Sequence, residues 1–214
     1  FGAIAKQQFW VDMTLHARNT AWKDINKENR DEKIEVLGPP PTSGTRDSFL
    51  ELVMEKGAEA NEMLKAMKKD DAKAFEKVWK SIREDGAYID AGENDNLIVQ
   101  KLESNPKAVG IFGFSFLEEN TAKIKGVTME GVAPTFESIA SGDYKVARPL
   151  FVYVKKAHIG VIPGLAEFMA EYTSEKAMGE DGYLTGKGLV ALPADMAAAT
   201  VAAAKDMTVL TEVK

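Results

Sequence analysis

The stretch from residue 33 to residue 55 constrains the fold of this chain more than any other. It begins with a β-branched run at 33–37, which a turn of one glycine and three prolines follows. Small polar residues and one arginine come next, and a strongly helical segment at 49–55 leaves them. This order predicts a strand that connects through a stiff turn to the N-terminus of a helix.

The residues between this turn and the helix have the chemistry of an anion site. Ser43 and Thr45 offer hydroxyl donors, and Gly44 lets a tetrahedral oxyanion approach the main chain closely. Arg46 adds a planar fork of charged donors, next to helix N–H groups that have no backbone partner. An ordinary helix cap by Ser43 or Thr45, with Arg46 in solvent, explains the same residues equally well. The residue types alone leave both interpretations open.

A second polar turn repeats this arrangement. Residues 87–91 are typical of a strand, residues 92–96 form a polar turn with a glycine, and residues 97–103 are helical, with Asn94 or Asp95 as the cap. The carboxyl ends of neighbouring parallel strands face one crevice. We therefore expect the two turns to lie at the same edge of a sheet.

Strands alternate with helices, which predicts an α/β fold with a largely parallel sheet. The apolar run at 108–114 is typical of a strand buried on both faces. Residues 125–132 are predicted as a strand, and residues 150–156 as the strongest strand of the chain. Helical segments are predicted at 49–57, 58–69, 71–84, 97–103, 115–124, 136–140, 164–173 and 194–207, with a short helix and loop at 9–29.

The helix predicted at 71–84 carries one apolar face at helical spacing, typical of a core helix. The residues of this face are Phe75, Val78, Trp79 and Ile82.

A domain boundary is predicted between residues 147 and 150, at the Arg148-Pro149 pair. Before it the chain cycles between strands and helices, and after it a single strand is followed by helices only. One strand does not make a sheet, so residues 150–214 are expected to need sheet partners from elsewhere.

Composition excludes several classes of function. Among 214 residues, 27 Lys and Arg face 33 Asp and Glu, a net charge of −6 that argues against nucleic-acid binding. The chain has no cysteine, which excludes disulfides and cysteine-ligated metal sites. No apolar run approaches the length that stable insertion into a membrane requires.

Catalytic motifs are absent from the sequence. His16 and His158 are far apart and lie in no metal-ligand spacing. No general base stands near Ser43 in the sequence, and neither a nucleophile elbow nor a P-loop occurs. We therefore predict a binding protein rather than an enzyme, with no cofactor and no metal.

Residues 34–49 closely resemble the anion loop of the periplasmic phosphate-binding proteins that feed ABC-type phosphate transporters. Further segments resemble that family in the same order along the chain, and together they cover most of it. These segments are 22–25, 92–96, 108–113 and 148–150.

The resemblance implies a two-lobed, hinged type II periplasmic-binding-protein fold in which phosphate is buried between the lobes. Residues 1–147 would form most of the second lobe, and residues 150–214 the returning C-terminal part of the first. The family's N-terminal strand and first phosphate loop have no counterpart before Phe1. We therefore expect the first lobe to be incomplete in this sequence.

The resemblance also implies roles for the residues of the first turn. Ser43, Gly44 and Thr45 would donate to phosphate through hydroxyl groups and main chain. Many family members carry an arginine a few residues before the serine, but residues 39–42 hold none here. Arg46 is its natural substitute and would supply the positive charge.

Two further residues complete the predicted ligand-binding set. Asn94 would contribute from the second helix N-terminus. Asp47 would orient Arg46 or accept a proton from phosphate, although a first-turn carboxylate favoured by the helix dipole is an equal alternative.

The function that the resemblance implies is capture of inorganic phosphate and its delivery to the permease subunits of an ABC transporter, in the periplasm or as a secreted or cell-surface protein. Three alternatives remain open. The same scaffold could bind another oxyanion such as sulfate or molybdate. The protein could be a phosphate-ester hydrolase, or an interaction module whose loop merely caps a helix.

Overall fold

The computed structural model describes residues 1–6 and 19–211. His16 and the part of the predicted helix and loop at 9–18 lie outside the described residues. The chain divides into two compact units, Phe1–Lys125 and Gly126–Lys214. The predicted boundary at 147–150 falls within the second unit, and the assignment of the two lobes stays a prediction.

A parallel three-stranded sheet organises the first unit. Strand β1 (Val36–Gly38) lies in the middle, between β2 (Tyr88–Asp90) and β3 (Val109–Gly110). Both neighbours run parallel to β1. Parallel neighbours need long crossover connections, and here these connections are helical. The predicted α/β class is confirmed.

The helical run that follows β1 is longer than the sequence predicts. It begins at Gly44 and continues through a π-helical segment, Leu50–Glu55, to residue 59. The helices of the first unit are α1 (Trp22–Ile25), α2 (Gly44–Phe49), α3 (Lys56–Glu59), α4 (Glu62–Asp70), α5 (Ala72–Lys80), α6 (Asp95–Ser104) and α7 (Phe114–Glu119).

Successive residues of β1 supply two apolar clusters, because side chains alternate across a strand. Val36 belongs to the larger cluster, which includes all four residues of the apolar face predicted at 71–84, although Ile82 lies beyond the end of α5 in an antiparallel bridge. Leu37 belongs to a smaller cluster with Ala91 and Ile98. The sheet is therefore covered on both sides at its central strand.

The prediction that residues 108–114 form a strand buried on both faces is wrong. The observed strand is Val109–Gly110, and both residues are only half-buried. The reason is position, because β3 pairs with β1 alone within the described part of the sheet. Ile111 extends the pairing by one backbone hydrogen bond to the Leu37 carbonyl, at 2.9 Å.

The second unit is mainly helical. Helices predicted at 136–140, 164–173 and 194–207 are confirmed to within about two residues. Its elements are α8 (Phe136–Ala140), α9 (Leu165–Tyr172), α10 (Glu175–Met178) and α11 (Ala194–Asp206), with 3₁₀ turns at Lys156–His158 and Thr185–Lys187.

The strand predicted at 150–156 does not form, and its end is a 3₁₀ turn. Leu150 is 78% exposed and Phe151 is 63% exposed. The β-branched and aromatic composition favours a strand, but a strand exists only through pairing with another. The second unit has no sheet among its described residues to receive it.

The strand predicted at 125–132 is also wrong. This segment contains a tight turn in which Met129 and Val132 exchange two backbone hydrogen bonds of 2.9 Å. Glu130 and Gly131 occupy the turn with positive φ angles of 51° and 84°. Such a turn reverses the chain within four residues and leaves no length for a strand.

The smaller apolar cluster offers a direct test of the fold, because α6 carries a buried and an exposed residue side by side. Ile98 has no exposed surface, whereas Leu97 is 44% exposed. We expect Ile98→Ala to lower the free energy of unfolding by about 2–5 kcal/mol, since it leaves a cavity beneath β1. Leu97→Ala, the matched control, should cost about 1 kcal/mol or less. Urea denaturation measures both, and equal losses would contradict the described packing.

Candidate anion-binding site

The two polar turns meet at the carboxyl edge of the sheet. The Ala91 N–H donates to the Gly38 carbonyl at 2.9 Å, which continues the pairing of β1 and β2 to the base of both turns. Further out, the Thr42 hydroxyl donates to the Glu93 carboxylate. Hydrogen bonds therefore join the two turns at their base and at their tips.

The end of the third strand reaches the same edge. The Gly113 N–H, at the start of α7, donates to Asp95 Oδ2 at 3.2 Å. Burial raises the pKa of the Asp95 carboxyl, and the hydrogen bond from Gly113 opposes part of that rise. The connection after β3 is thereby tied to the first turn of α6.

Ser43 forms the cap that begins α2. Its Oγ accepts from the Thr45 N–H at 3.2 Å, and its carbonyl accepts from the Asp47 N–H at 3.2 Å. Gly44 next to it is exposed, and a Cβ built there would meet nothing within 4 Å. The tip of the turn thus leaves space beside the Gly44 Cα at the positive end of a helical run.

The simple capping interpretation expects Arg46 to extend into solvent, but the structure buries it. Its side chain is only 9% exposed, and its Nη1 donates to the Pro39 carbonyl at 3.2 Å. The guanidinium carbon lies 4.4 Å from the centre of the Tyr88 ring. Nε is buried without a hydrogen-bond partner. Within the residues that the structure describes, Arg46 forms no ion pair, so a buried cation here lacks a carboxylate.

Asp47 and Asn94 occupy exposed positions at the two helix starts. Asp47 lies in the first turn of α2, and the described residues include no ion pair between it and Arg46. Asn94 caps α6, where its Oδ1 accepts from the Asn96 N–H at 3.0 Å. His158 lies in the second unit, in the 3₁₀ turn after the exposed segment.

The sequence analysis missed Tyr88, which lies at the centre of the Arg46 surroundings. Its hydroxyl donates to the Pro39 carbonyl at 2.8 Å. Burial raises the pKa of the Tyr88 hydroxyl, and the positive charge of Arg46 opposes part of that rise. An aromatic residue at the start of a strand is ordinary, so only the strand register could reveal this contact.

A cleft of about 250 Å³ lies beside Arg46, between α2 and the end of α5. Lys6 and Lys80 line it and are each paired with a carboxylate, Lys6 with Glu84 at 3.7 Å and Lys80 with Glu76. Arg46 is therefore the lining cation that has no such partner in the described part of the chain.

Two features are absent from residues 1–6 and 19–211. No group of three or more histidine or acidic side chains is placed to hold a metal ion. No helix in these ranges is both long and apolar enough to cross a membrane.

Comparison with protein families matches residues 9–176 to the PBP superfamily domain, which is most of the chain. The phosphate-binding protein PstS of Staphylococcus haemolyticus (strain JCSC1435) is 32% identical over 171 residues, which cover 76% of this chain and 45% of that protein. PstS of Staphylococcus saprophyticus is 29% identical over 177 residues, 80% of this chain and 46% of that protein. The chain thus spans less than half the length of these curated relatives.

Two solved structures are similar to this one. A possible phosphate binding protein from Planctomyces limnophilus DSM 3776 superposes with a TM-score of 0.55 at 27% identity, covering 90% of this chain and 60% of that one. PstS from Borrelia burgdorferi superposes with a TM-score of 0.50 at 20% identity, over 82% and 58%, and supports the fold alone. The predicted periplasmic-binding-protein fold, of which this chain is a part, is confirmed.

Two glycines of this region should respond in opposite ways to a methyl group. A Cβ at Gly38 would lie 2.2 Å from the Tyr88 hydroxyl oxygen, whereas one at Gly44 would lie in open space. We expect Gly38→Ala to lower the free energy of unfolding by about 1–3 kcal/mol through overpacking. Gly44→Ala should change it by about 0.5 kcal/mol or less. Urea denaturation of both variants checks this, and a tolerant Gly38 would contradict the position of Tyr88.

Proposed function

The chain belongs to the PBP superfamily, and we propose that it binds inorganic phosphate at the turn formed by residues 42–46 and delivers it to an ABC-type membrane transporter. The observation that carries this proposal is the buried charge of Arg46 at the start of α2, which forms no ion pair within residues 1–6 and 19–211. A buried cation without a counter-ion is costly, and an anion bound at this turn would offset that cost.

The neighbouring groups suit a tetrahedral oxyanion. Phosphate loses its hydration when it is bound, so nearly every oxygen must meet a donor. The hydroxyl groups of Ser43 and Thr45 are such donors, and they lie at the positive end of α2. Gly44 leaves the space in front of the main chain open.

Asp47 and Asn94 belong to the proposed site in secondary roles. Asp47 is exposed one residue after Arg46, where its carboxylate can accept a hydrogen bond from a protonated phosphate oxygen. Asn94 starts α6 on the turn that the contact of Thr42 with Glu93 ties to the first. Its amide would add a donor from the second turn.

The names of the relatives favour phosphate over sulfate or molybdate. PstS proteins and the similar Planctomyces structure are described as phosphate-binding, and this chain is similar to them across most of its length. Through the same resemblance the proposal extends to the permease subunits of the transporter as partners, and to the periplasm or the cell surface as location.

The proposed mechanism is capture rather than chemistry. Among the described contacts, Ser43 Oγ accepts one hydrogen bond from a main-chain N–H and forms none with a carboxylate or an imidazole. A serine nucleophile needs such a base. We therefore expect no turnover of a chromogenic phosphate ester, and turnover that Ser43→Ala abolishes would favour the hydrolase alternative.

Removal of the Arg46 charge is the main test of this proposal. We expect Arg46→Ala to weaken phosphate binding by at least about 2 kcal/mol, because the anion would lose its charge partner. Isothermal titration calorimetry of the purified protein measures the affinity. Arg30→Ala is a matched control, since Arg30 also lies over an aromatic ring, that of Trp22 at 5.7 Å, but is exposed.

Three outcomes of that titration are informative. Affinity that survives Arg46→Ala would support the capping interpretation of the turn. Tighter binding of sulfate than of phosphate would replace phosphate with another oxyanion. Loss of binding in Arg46→Ala but not in Arg30→Ala supports the proposal.

Gly44→Ala separates an anion site from a simple helix cap. The structure predicts a normal free energy of unfolding, because the added methyl group meets no protein atom within 4 Å. If phosphate packs against the main chain here, the methyl group should still weaken its binding by about 1 kcal/mol or more, since only glycine allows such close approach. Calorimetry and urea denaturation of the same sample measure both. Unaltered affinity would place the anion away from Gly44.

A further inference from the structure

Tyr88 makes contacts at the candidate site that the proposed function does not yet use. Its ring lies under the Arg46 guanidinium group, with 4.4 Å between Cζ and the ring centre. Its hydroxyl donates to the Pro39 carbonyl oxygen at 2.8 Å. Arg46 Nη1 donates to the same carbonyl oxygen at 3.2 Å. These three residues form one closed cluster at the base of the polar turn, where Pro39 follows β1.

The sheet, rather than the turn, holds Tyr88 in place. Its backbone pairs with Val36 of the central strand. Its ring passes over Gly38, where a side chain would collide with both the hydroxyl oxygen and Cζ, at 2.2 Å and 2.7 Å. Strand pairing and the contact with Gly38 therefore fix the position of the aromatic face.

The chemistry of this support differs from that of a carboxylate. A carboxylate would orient Arg46 but would also neutralise it. An aromatic face and a carbonyl oxygen attract a cation without carrying net charge. Arg46 is consequently held in one position while its charge stays uncompensated by any ion pair in the described residues.

From this geometry we infer that Tyr88 is a positioning residue for oxyanion binding, which holds Arg46 beneath the turn in a charged state that only the bound anion neutralises. The inference rests on the proposed function. It also narrows the ligand class, because a full uncompensated charge favours a multiply charged inorganic oxyanion over a neutral polar solute.

Three substitutions at one position test the role of the ring. Tyr88→Phe keeps the aromatic face and should bind phosphate within about threefold of the unaltered protein, whereas Tyr88→Leu should bind about tenfold more weakly. Tyr88→pentafluorophenylalanine keeps the shape but reverses the charge distribution of the ring, so it should bind as weakly as Tyr88→Leu. Tyr153→Leu, at an exposed tyrosine, is the control and should leave binding unchanged.

A double-mutant cycle separates positioning from general stability. In an Arg46→Gln background, Tyr88→Leu should change the phosphate affinity by less than about twofold, because the cation that the ring positions is gone. A merely structural role would weaken binding by the same factor in both backgrounds. Urea denaturation of each variant records its stability, and the fluorinated variant remains usable if Tyr88→Leu does not fold.

The outcomes distinguish this inference from the proposed function. If calorimetry detects no phosphate binding by the unaltered protein, the proposed function is overturned and this inference with it. If the unaltered protein binds phosphate, and both Tyr88→Leu and the fluorinated variant bind it as tightly as the unaltered protein does, only the role of Tyr88 is overturned. The inference is supported if Tyr88→Leu and the fluorinated variant bind phosphate more weakly, Tyr88→Phe does not, and the effect of Tyr88→Leu disappears in the Arg46→Gln background.

Discussion

Parallel pairing of β1 with β2 is the constraint on which the site depends. The two strands lie in one register, so their carboxyl ends and the polar turns that follow them meet at one edge. Val36 and Leu37 supply apolar clusters on opposite faces, which makes β1 the most deeply buried strand described. A slip of one residue would exchange these two faces. Burial of these side chains in the core therefore fixes the strand register, and the register fixes the relative position of the two turns.

This pairing explains how a buried cation is tolerated. The strand register brings Tyr88 beside Gly38, and its ring covers Arg46. The Tyr88 hydroxyl and Arg46 Nη1 both donate to the Pro39 carbonyl. The cluster repays part of the desolvation of the guanidinium group without cancelling its charge. In the proposed function the bound anion offsets the rest of this desolvation cost, so the same contacts contribute to stability and to phosphate affinity.

Local patterns predicted those elements that depend on local physics. The apolar residues of α5 follow from helical spacing, and cap chemistry predicted both helix starts, although the structure chose Ser43 over Thr45 and Asn94 over Asp95. The failures at 108–114 and 150–156 concern apolar runs whose burial and pairing depend on neighbours distant in sequence. Residue types in such a run state a preference for strand, but not whether a partner is present. The sequence predicted the donors of the site, but it did not predict that Tyr88 and the Pro39 carbonyl contact Arg46.

The sequence by itself determined the α/β class, the order of most elements, the family resemblance and the donors of the first turn. These depend on periodicity, turn residues and short contiguous motifs, which are local properties of a chain. Only the tertiary structure decided that Arg46 is buried, that Tyr88 supports it and that residues 150–154 pair with no strand among the described residues. The contact of Arg46 with Tyr88 depends on strand register, and pairing of residues 150–154 depends on a partner strand, and composition encodes neither.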